Sequence, residues 1–136
     1  MNYRYSIGCS LSNLKGIREF IRNSLAPHQI PELELSAIVL AIDEMCSNLM
    51  IHAHHCNPDH TLELCILEPQ KRQLVFEIID DGNIFDINDF NEPKMDNLIH
   101  EKRKGGLGIR LVKSIMDKVE YFTREGKNVC RLTKSV

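Results

Sequence analysis

The sequence predicts an α+β fold, a two-layer sandwich in which helices cover one face of a mixed or antiparallel sheet. Three observations lead to this prediction. Segments with apolar residues at alternate positions occur in pairs joined by short polar turns, as in β-hairpins. Between them lie segments with apolar residues spaced three and four apart, which is typical of amphipathic helices. The resulting order, β-α-α-β-β-loop-α-β-β, favours one layer of strands and one layer of helices.

The first half of the chain is predicted to hold one strand and two helices. The strand alternates its larger residues, which are Tyr3, Tyr5, Ile7 and Cys9. Ser12 or Asn13 can cap the first helix, whose apolar stripe is Leu14, Ile17, Phe20, Ile21 and Leu25. A longer helix begins at Glu32 and ends before Pro58, since proline disfavours a helical residue ahead of it. Its apolar residues are Leu35, Ile38, Val39, Ile42, Met45, Leu49 and Ala53.

The second half is predicted to hold two hairpins with a helix between them. The first hairpin turns within 68–72, and its apolar residues are Leu62, Leu64, Ile66, Leu74, Phe76 and Ile78. The last helix carries Ile109, Leu111, Val112, Ile115, Met116 and Val119. The closing hairpin joins 121–124 to 129–134 across 125–127. The polar stretch 80–104 fits neither period, and structureless connections longer than about 12–15 residues are usually functional lids or disordered segments.

Composition limits the class of protein. The 136 residues are 43% hydrophobic and 26% charged, which suits one globular domain spanning 1–136. The net charge of -2 argues against a general binder of nucleic acid or of acidic membranes. No apolar run approaches the roughly 18 residues that cross a bilayer, and the N-terminus lacks a signal-peptide pattern. The five cysteines are scattered without a C-x-x-C motif, so we expect a reduced, cytoplasmic protein.

Three short motifs stand out. Glu44 and Asn48 lie four residues apart in the long helix, so they project from the same face, either as a solvated helix edge or as a pair of functional groups. The second motif, Asp80-Asp81-Gly82, follows the end of a predicted strand and can be read as an ordinary turn. Alternatively, an aspartate carboxylate at this position accepts a hydrogen bond from an exocyclic amine, and Gly82 lets a flat ligand approach the backbone.

The third motif is Gly105-Gly106-Leu107-Gly108, which opens a helix. Glycines there leave backbone N–H groups uncovered at the positive end of the helix dipole, and this arrangement suits a phosphate. Lys102, Arg103 and Lys104 add positive charge, although a solvated charge run is an equally good interpretation. The motif matches neither a P-loop nor a Rossmann fingerprint, and glycine-rich loops also serve as plain connectors.

The order of these motifs resembles the nucleotide site of the gyrase, Hsp90, histidine-kinase and MutL superfamily, which has a Bergerat-type fold. Within that superfamily the sequence most resembles the small anti-sigma-factor serine/threonine kinases. The likeness covers essentially the whole chain and is carried by 41–48 with His52 and Ala53, by 80–86, and by 105–117. The segments 119–121 and 126–128 are also similar to that group. One departure is Ile84, where the larger superfamily often has glycine.

The resemblance implies a role for each residue of the motifs. Asn48 would coordinate Mg²⁺, Glu44 would be the general base near the γ-phosphate, and Asp80 would bind the adenine amino group beside Gly82. The phosphates of ATP or ADP would lie against Lys104, Gly105, Gly106, Leu107 and Gly108. The segment 86–104 would be the ATP lid.

The resemblance also implies a function. The protein would be an ATP-dependent serine/threonine protein kinase that phosphorylates a small anti-sigma antagonist protein. A sigma factor or similar regulator would be a second partner, and a homodimer is possible. The alternative is a non-catalytic, nucleotide-gated module that sequesters a regulatory partner. A histidine-kinase catalytic domain and a gyrase- or MutL-like ATPase are disfavoured, because the sequence shows neither a phosphoacceptor helix pair nor a transducer domain.

A separate cluster of histidine and cysteine suggests a competing metal site. It consists of His52, His54, His55, Cys56 and His60. Zinc prefers such ligands, but the spacing fits no standard finger pattern and the cluster straddles a predicted helix end. Histidine near a helix C-terminus also interacts favourably with the dipole, so the cluster is more simply explained without a metal.

Overall fold

The computed structural model of the chain describes residues 2–80 and 106–136. Within these residues, five strands form one sheet in the order β1-β2-β3-β5-β4, and all four neighbouring pairs are antiparallel. The strands are β1 (Asn2–Gly8), β2 (Thr61–Gln70), β3 (Gln73–Asp80), β4 (Lys118–Arg124) and β5 (Lys127–Ser135). The predicted α+β class is confirmed, and the sheet is antiparallel where the sequence left a mixed sheet open.

In the described part of the chain three helices accompany the sheet, namely α1 (Leu14–Leu25), α2 (Glu32–Asn48) and α3 (Gly106–Ile115). Short 3-10 turns at Leu11–Asn13 and Ala26–His28 lead into and out of α1, and a π-helical turn at Leu49–Ala53 extends α2. Helix α2 follows Pro31 directly and has Glu32 and Glu34 in its first turn. Acidic side chains there interact favourably with the positive end of the helix dipole, which helps to fix where α2 begins.

The core lies between the helices and one face of the sheet. Because side chains alternate along a strand, β2 and β3 direct one set of apolar residues toward the helices. Ile66, Phe76 and Ile78 are completely buried there, as are Ile38, Ile42 and Leu49 from α2 and its extension. Truncating such a side chain to alanine typically costs about 2–5 kcal/mol. Helices therefore cover one face of the sheet, as predicted.

The segment Glu32–His52 is the central helix of this layer. It is 21 residues long and contains an 18-residue stretch with a mean hydropathy of 1.3, so by length and composition it could also cross a membrane. Half of that 18-residue stretch is buried inside the fold, and the helix packs against α1 and α3. The apolar character of α2 is explained by this central position.

Several predicted boundaries are wrong, and each has a local reason. Neither Ser12 nor Asn13 caps α1 through its side chain, because a 3-10 turn precedes the helix and the Asn13 amide donates to the Gly8 carbonyl, 2.9 Å away. Val119 belongs to β4 because α3 ends at Ile115. The first hairpin turns more tightly than expected, at Lys71 and Arg72, with Arg72 in the left-handed region at φ 63°.

The cysteines behave as small apolar residues. All five are free thiols, and every one except Cys56 is buried. Burial raises the pKa of the Cys130 thiol to about 12, with the charge of Asp80 adding to the effect. Burial likewise raises the pKa of Cys46. Thiols held in the protonated form are poor nucleophiles and poor metal ligands, which agrees with the absence of a C-x-x-C motif.

The face of the sheet opposite the helices carries a buried carboxylate between two arginines. Glu77 on β3 accepts hydrogen bonds from Arg124, 2.8 Å away, and from Arg131, 3.0 Å away. Burial of Glu77 disfavours its charge, but the two guanidinium groups outweigh burial and lower the pKa of Glu77 below its ordinary value of 4.5. The arginines belong to β4 and β5, so this cluster ties three strands together.

We predict that Glu77→Gln lowers the free energy of unfolding at pH 7 by about 1.5–3 kcal/mol, the usual range for hydrogen bonds to a charged group. Because the folded-state pKa is lowered, the stabilisation is fully present above pH 4.5 and is lost as the pH falls through that lowered value. Urea unfolding at pH 7 and near pH 3 measures this change. The matched control is Glu120→Gln, whose side chain is one-third exposed and 3.8 Å from Arg131, and it should change stability by less than about 0.5 kcal/mol. A gap between wild type and Glu77→Gln that did not narrow in acid would contradict the assignment.

Candidate functional site

Glu44 contacts the first turn of α3 at Gly108. A Cβ atom placed on Gly108 would collide with the Glu44 carboxylate and would lie 3.1 Å from its Cδ and 3.3 Å from its Cβ. Gly108 is buried, so the space beside its backbone is filled by this side chain. Glycine is therefore required here because the Glu44 side chain passes directly over the helix backbone. The structure thus joins two of the predicted motifs that are 64 positions apart.

The environment of Glu44 favours a protonatable carboxylate. Burial raises the pKa of Glu44 above 4.5, and the negative charge of Asp43 adds to the rise. Asp43 itself is engaged by Arg18 of α1, with 3.0 Å between the guanidinium and the carboxylate. A carboxylate whose pKa lies closer to neutrality is better matched to accepting and returning a proton than an ordinary surface carboxylate.

Asn48 is completely buried one helical turn beyond Glu44. Neither its Oδ1 nor its Nδ2 has a hydrogen-bond partner among residues 2–80 and 106–136. A buried amide without partners costs about 1–3 kcal/mol, so such a group is retained only where something compensates for it. An amide oxygen is a suitable ligand for a hard cation such as Mg²⁺. The side chain at this position therefore fits the metal-binding role that the resemblance implies.

The turn after Asn48 is wider than an α-helix. The π-helical residues Leu49–Ala53 close with a bond from the His54 N–H to the Leu49 carbonyl, 3.1 Å long. His55 and Cys56 then adopt left-handed backbone angles, with φ of 51° and 55°. This conformation costs a residue with a Cβ atom roughly 1–2 kcal/mol. The wide turn closes at His54, whose side chain lies in the interior and is 1% exposed.

Asp80 lies at the end of β3 and is also buried, at 3% exposure. Its Oδ1 accepts a hydrogen bond from the Asn128 amide, 3.2 Å away, on the neighbouring strand β5. The Nε2 atom of His54 lies 3.2 Å from the same oxygen, in close electrostatic contact but without hydrogen-bond geometry. Two polar side chains from different elements therefore meet on one oxygen of Asp80.

The remaining predicted site residues divide into two groups. Gly106, Leu107 and Gly108 form the first turn of α3, so the glycine motif does open a helix as expected. Gly82, Lys104, Gly105 and the predicted lid at 86–104 lie outside the described residues. The structure therefore places Glu44 against Gly108 and buries Asn48 and Asp80, and the roles of all the site residues stay predictions.

The histidine cluster is not arranged as a metal site. Within residues 2–80 and 106–136, no three or more His, Cys, Asp or Glu side chains are arranged to hold a metal ion. Instead, the Nδ1 atoms of His54 and His60 share a hydrogen bond of 3.1 Å, and Cys56 is exposed. The simpler explanation of the cluster is a hydrogen-bonded loop.

Sequence reasoning missed two residues of this region. The sequence groups His54 with its neighbours as a possible metal ligand or helix-end residue, and it places Asn128 only within the segment 126–128 that resembles the family. Asn128 faces Asp80 because β3 and β5 pair in that register, and no local pattern reveals the pairing of strands 48 positions apart. His54 reaches Asp80 only because of the π-helical turn, which a period of 3.6 does not anticipate.

Comparison with known proteins identifies the family of the chain. Residues 9–134 match the histidine kinase-like ATPase domain family, and the chain belongs to that family. The match includes Glu44, Asn48, Asp80 and the glycine motif. The class is therefore that of histidine kinase-like ATPase domains.

The chain is also similar to three curated proteins. The chain is 28% identical over 97 residues to the serine/threonine-protein kinase BtrW of Bordetella bronchiseptica, covering 71% of this chain and 67% of that protein. It is 29% identical over 96 residues to the anti-sigma F factor of Oceanobacillus iheyensis, covering 69% and 64% respectively. It is 31% identical over 97 residues to the serine-protein kinase RsbW of Halalkalibacterium halodurans, covering 68% and 58%. The alignments with the last two thus span less than two thirds of each relative.

Solved structures share the fold. The RsbU and RsbW domains of Rv1364c from Mycobacterium tuberculosis superpose with a TM-score of 0.67 at 13% identity, covering 99% of this chain and 32% of that one. A chain of the SiaB-SiaC complex from Pseudomonas aeruginosa superposes with a TM-score of 0.64 at 15% identity, covering 98% and 89%. At these identities the likeness concerns the fold alone.

We predict that Asn48→Leu stabilises the ligand-free protein by about 1 kcal/mol, because it removes a buried amide without described partners. The same variant should lose the extra thermal stabilisation that Mg²⁺ adds to ADP, since the oxygen ligand is gone. Thermal unfolding of the protein alone, with ADP and with Mg²⁺-ADP measures both effects. Asn48→Ala is the control, because it also removes the amide but leaves a cavity and should be destabilising. An Asn48→Leu protein that kept the full response to Mg²⁺ would exclude Asn48 as the ligand.

Proposed function

We propose that this chain is an ATP-dependent serine/threonine protein kinase of the anti-sigma-factor type, acting in the cytoplasm on a small antagonist protein. The observation that carries the proposal is the pairing on α2 of a raised-pKa carboxylate, Glu44, with a buried amide without described partners, Asn48. The names of the curated relatives, two protein kinases and an anti-sigma factor, support the reaction class and the kind of partner.

The nucleotide would be held by groups from three elements. Asp80 at the end of β3 would accept a hydrogen bond from the adenine amino group, and Gly82 would allow the base to approach. The backbone N–H groups at the start of α3, with Lys104 and Gly105 ahead of it, would receive the phosphates. Asn48 would hold Mg²⁺, which would offset the negative charge of the phosphates. The segment 86–104 would close over the nucleotide as a lid.

Glu44 would act as the general base. The acceptor hydroxyl of a serine or threonine loses its proton to Glu44 as its oxygen bonds to the γ-phosphorus. The bond between that phosphorus and the bridging oxygen of ADP breaks, and ADP leaves with the electron pair. Because the contact with Gly108 fixes Glu44 over the start of α3, the base stays next to the phosphates that this helix end would bind. Such positioning supplies most of the catalysis in phosphoryl transfer.

The acceptor hydroxyl would come from another protein. The machinery assigned above uses the polar groups on α2, at the end of β3 and at the start of α3 for the nucleotide itself. A small antagonist protein docked beside the site would offer the serine or threonine, and a sigma factor or similar regulator would compete for that surface. Exchange of ATP for ADP can replace one partner by the other only if the two partners differ in their affinity for the ATP-bound and ADP-bound forms.

We predict that Glu44→Gln reduces phosphate transfer by about 10²–10⁴-fold while leaving ADP affinity within about twofold, since a general base contributes that much to the chemical step alone. In the wild type the transfer rate should fall as the pH drops. Because burial raises the pKa of Glu44, the fall should begin at a higher pH than for an ordinary carboxylate. The residual rate of Glu44→Gln should lack this dependence. Transfer from radiolabelled ATP, measured between pH 5 and 8 alongside calorimetry with ADP, tests both parts. Wild-type transfer by Glu44→Gln would exclude Glu44 as the base.

We predict that a small protein encoded beside this chain becomes phosphorylated on serine or threonine when mixed with it, ATP and Mg²⁺. Each purified neighbour is tested by mass spectrometry of the modified residue and by its affinity in ATP and in ADP. The non-catalytic alternative predicts nucleotide-dependent binding without transfer. Steady ATP turnover in the absence of any acceptor would instead indicate a free-standing ATPase and would contradict a kinase.

A further inference from the structure

A chain of polar side chains runs from the surface to Asp80. It starts at Asn57 in the loop after the π-helical turn and continues through His60 and His54. Asn57 and His60 are exposed, whereas His54 and Asp80 are almost completely buried. None of these contacts is needed for the backbone of the loop, which is closed by its own N–H groups bonding to His54 and Asn57 carbonyls. The side chains are therefore a separate network.

The hydrogen bonds of Asn57, at the surface end of this network, determine which atom donates and which accepts in each contact. The Asn57 Oδ1 atom accepts the backbone N–H of Asp59, 3.0 Å away, so its Nδ2 faces His60 as a donor. The Nε2 atom of His60 lies 3.4 Å from that amide and must accept. In a neutral ring the other nitrogen then carries the proton, so His60 Nδ1 donates to His54 Nδ1 across 3.1 Å.

The same reasoning fixes the proton on His54. Since its Nδ1 accepts from His60, its neutral ring carries the proton on Nε2, the nitrogen that lies 3.2 Å from Asp80 Oδ1. An unprotonated Nε2 would place its lone pair against a buried carboxylate oxygen, which is unfavourable. The outer and inner ends of the network thus require the same tautomer. The Asn128 amide donates to the Oδ1 atom of Asp80, and the protonated Nε2 of His54 lies beside the same oxygen as an electrostatic contact.

We propose that His54 is a positioning residue that determines the base specificity of the site. Held by His60 and Asn57, it keeps the Asp80 carboxylate oriented to accept a hydrogen bond from an exocyclic amine. The site therefore selects adenine over a 6-oxopurine. The proposal rests on the proposed role of Asp80 in binding the base. An amine at C6 donates to a fixed carboxylate, whereas a carbonyl at C6 presents its own lone pairs and is repelled. A binding site that hydrogen-bonds one polar group of its ligand rejects an analogue without that group. The rejection is stronger when the side chains of the site are held in place.

The loop that presents His54 is held at both ends. The His60 carbonyl accepts the N–H of Cys9, 2.8 Å away, just after β1. The π-helical turn holds the other end to α2 through the bond from His54 to Leu49. Because the loop is anchored in this way, removing the His60 side chain should leave its backbone in place.

The test measures affinity for ADP and for inosine diphosphate, which carries oxygen in place of the C6 amine. The variants are His54→Leu, which removes the polar contact beside Asp80, and His54→Gln, whose side-chain amide restores an N–H group there. His55→Asn is the matched control, since it removes a neighbouring imidazole at a left-handed position that asparagine tolerates. We expect wild type to prefer ADP by at least about tenfold, the value of one good polar contact.

Calorimetry should show that His54→Leu lowers ADP affinity about tenfold while inosine diphosphate affinity changes less than about twofold. His54→Gln should recover most of the preference, and His55→Asn should keep all of it. Equal losses for both nucleotides in His54→Leu, or no loss for either, would overturn the proposal. Equal binding of the two nucleotides by wild type would instead defeat the role of Asp80 itself, and with it this inference.

The tautomers provide a readout that does not depend on nucleotide. Long-range ¹⁵N NMR of the ligand-free protein should show His54 protonated at Nε2 and His60 protonated at Nδ1. The opposite tautomer in either ring would overturn the network. If His54→Leu does not fold, His60→Ala takes its place, because His60 is exposed and its loss removes the donor to His54. That variant should lose at least about half of the preference for ADP, and an unchanged preference would count against the proposal.

Discussion

The packing of α2 between the sheet and α3 is the constraint on which the rest of the structure depends. Its apolar residues meet β2 and β3, and its contact with α3 is made without a side chain at Gly108 so that Glu44 can lie between the two helices. The same helix carries Asn48 into the interior and ends in the turn that buries His54. The core and the candidate site therefore share the residues of α2, and a shift of the helix would move both.

This arrangement explains why the domain accepts several unfavourable features close together. Asn48 is buried without a described partner, Glu44 has its pKa raised by burial, and two consecutive residues after His54 have left-handed backbone angles. Each feature lowers stability, and the surrounding apolar core offsets the cost. Unfavourable groups held by a rigid core are common at functional sites, since ligands supply the missing interactions.

Much of the fold could be predicted from sequence because periodicity reports which face of an element is buried. The strands of β2 and β3 and the stripe of α2 were evident from their apolar spacing, and the glycine motif was correctly placed at the start of a helix. The predicted end of α3 was wrong at Val119, because an apolar residue fits the helical period and the strand period equally well. The pairing of Asp80 with Asn128 and the reach of His54 were missed since they depend on strand register and on a non-standard turn.

The π-helical turn at Leu49–Ala53 has a consequence for the lineage of the chain. A π-turn is equivalent to an α-helix that has received one extra residue without losing its ends. The residue that closes the π-turn, His54, takes the angular place that the residue one position earlier would take in an α-helix. Removing one residue from within the turn would therefore return the helix to its ordinary winding and leave His54 at the place it now occupies. A single-codon deletion at this point would thus change the side chains of the turn itself, while leaving Glu44, Asn48 and the residue facing Asp80 unchanged.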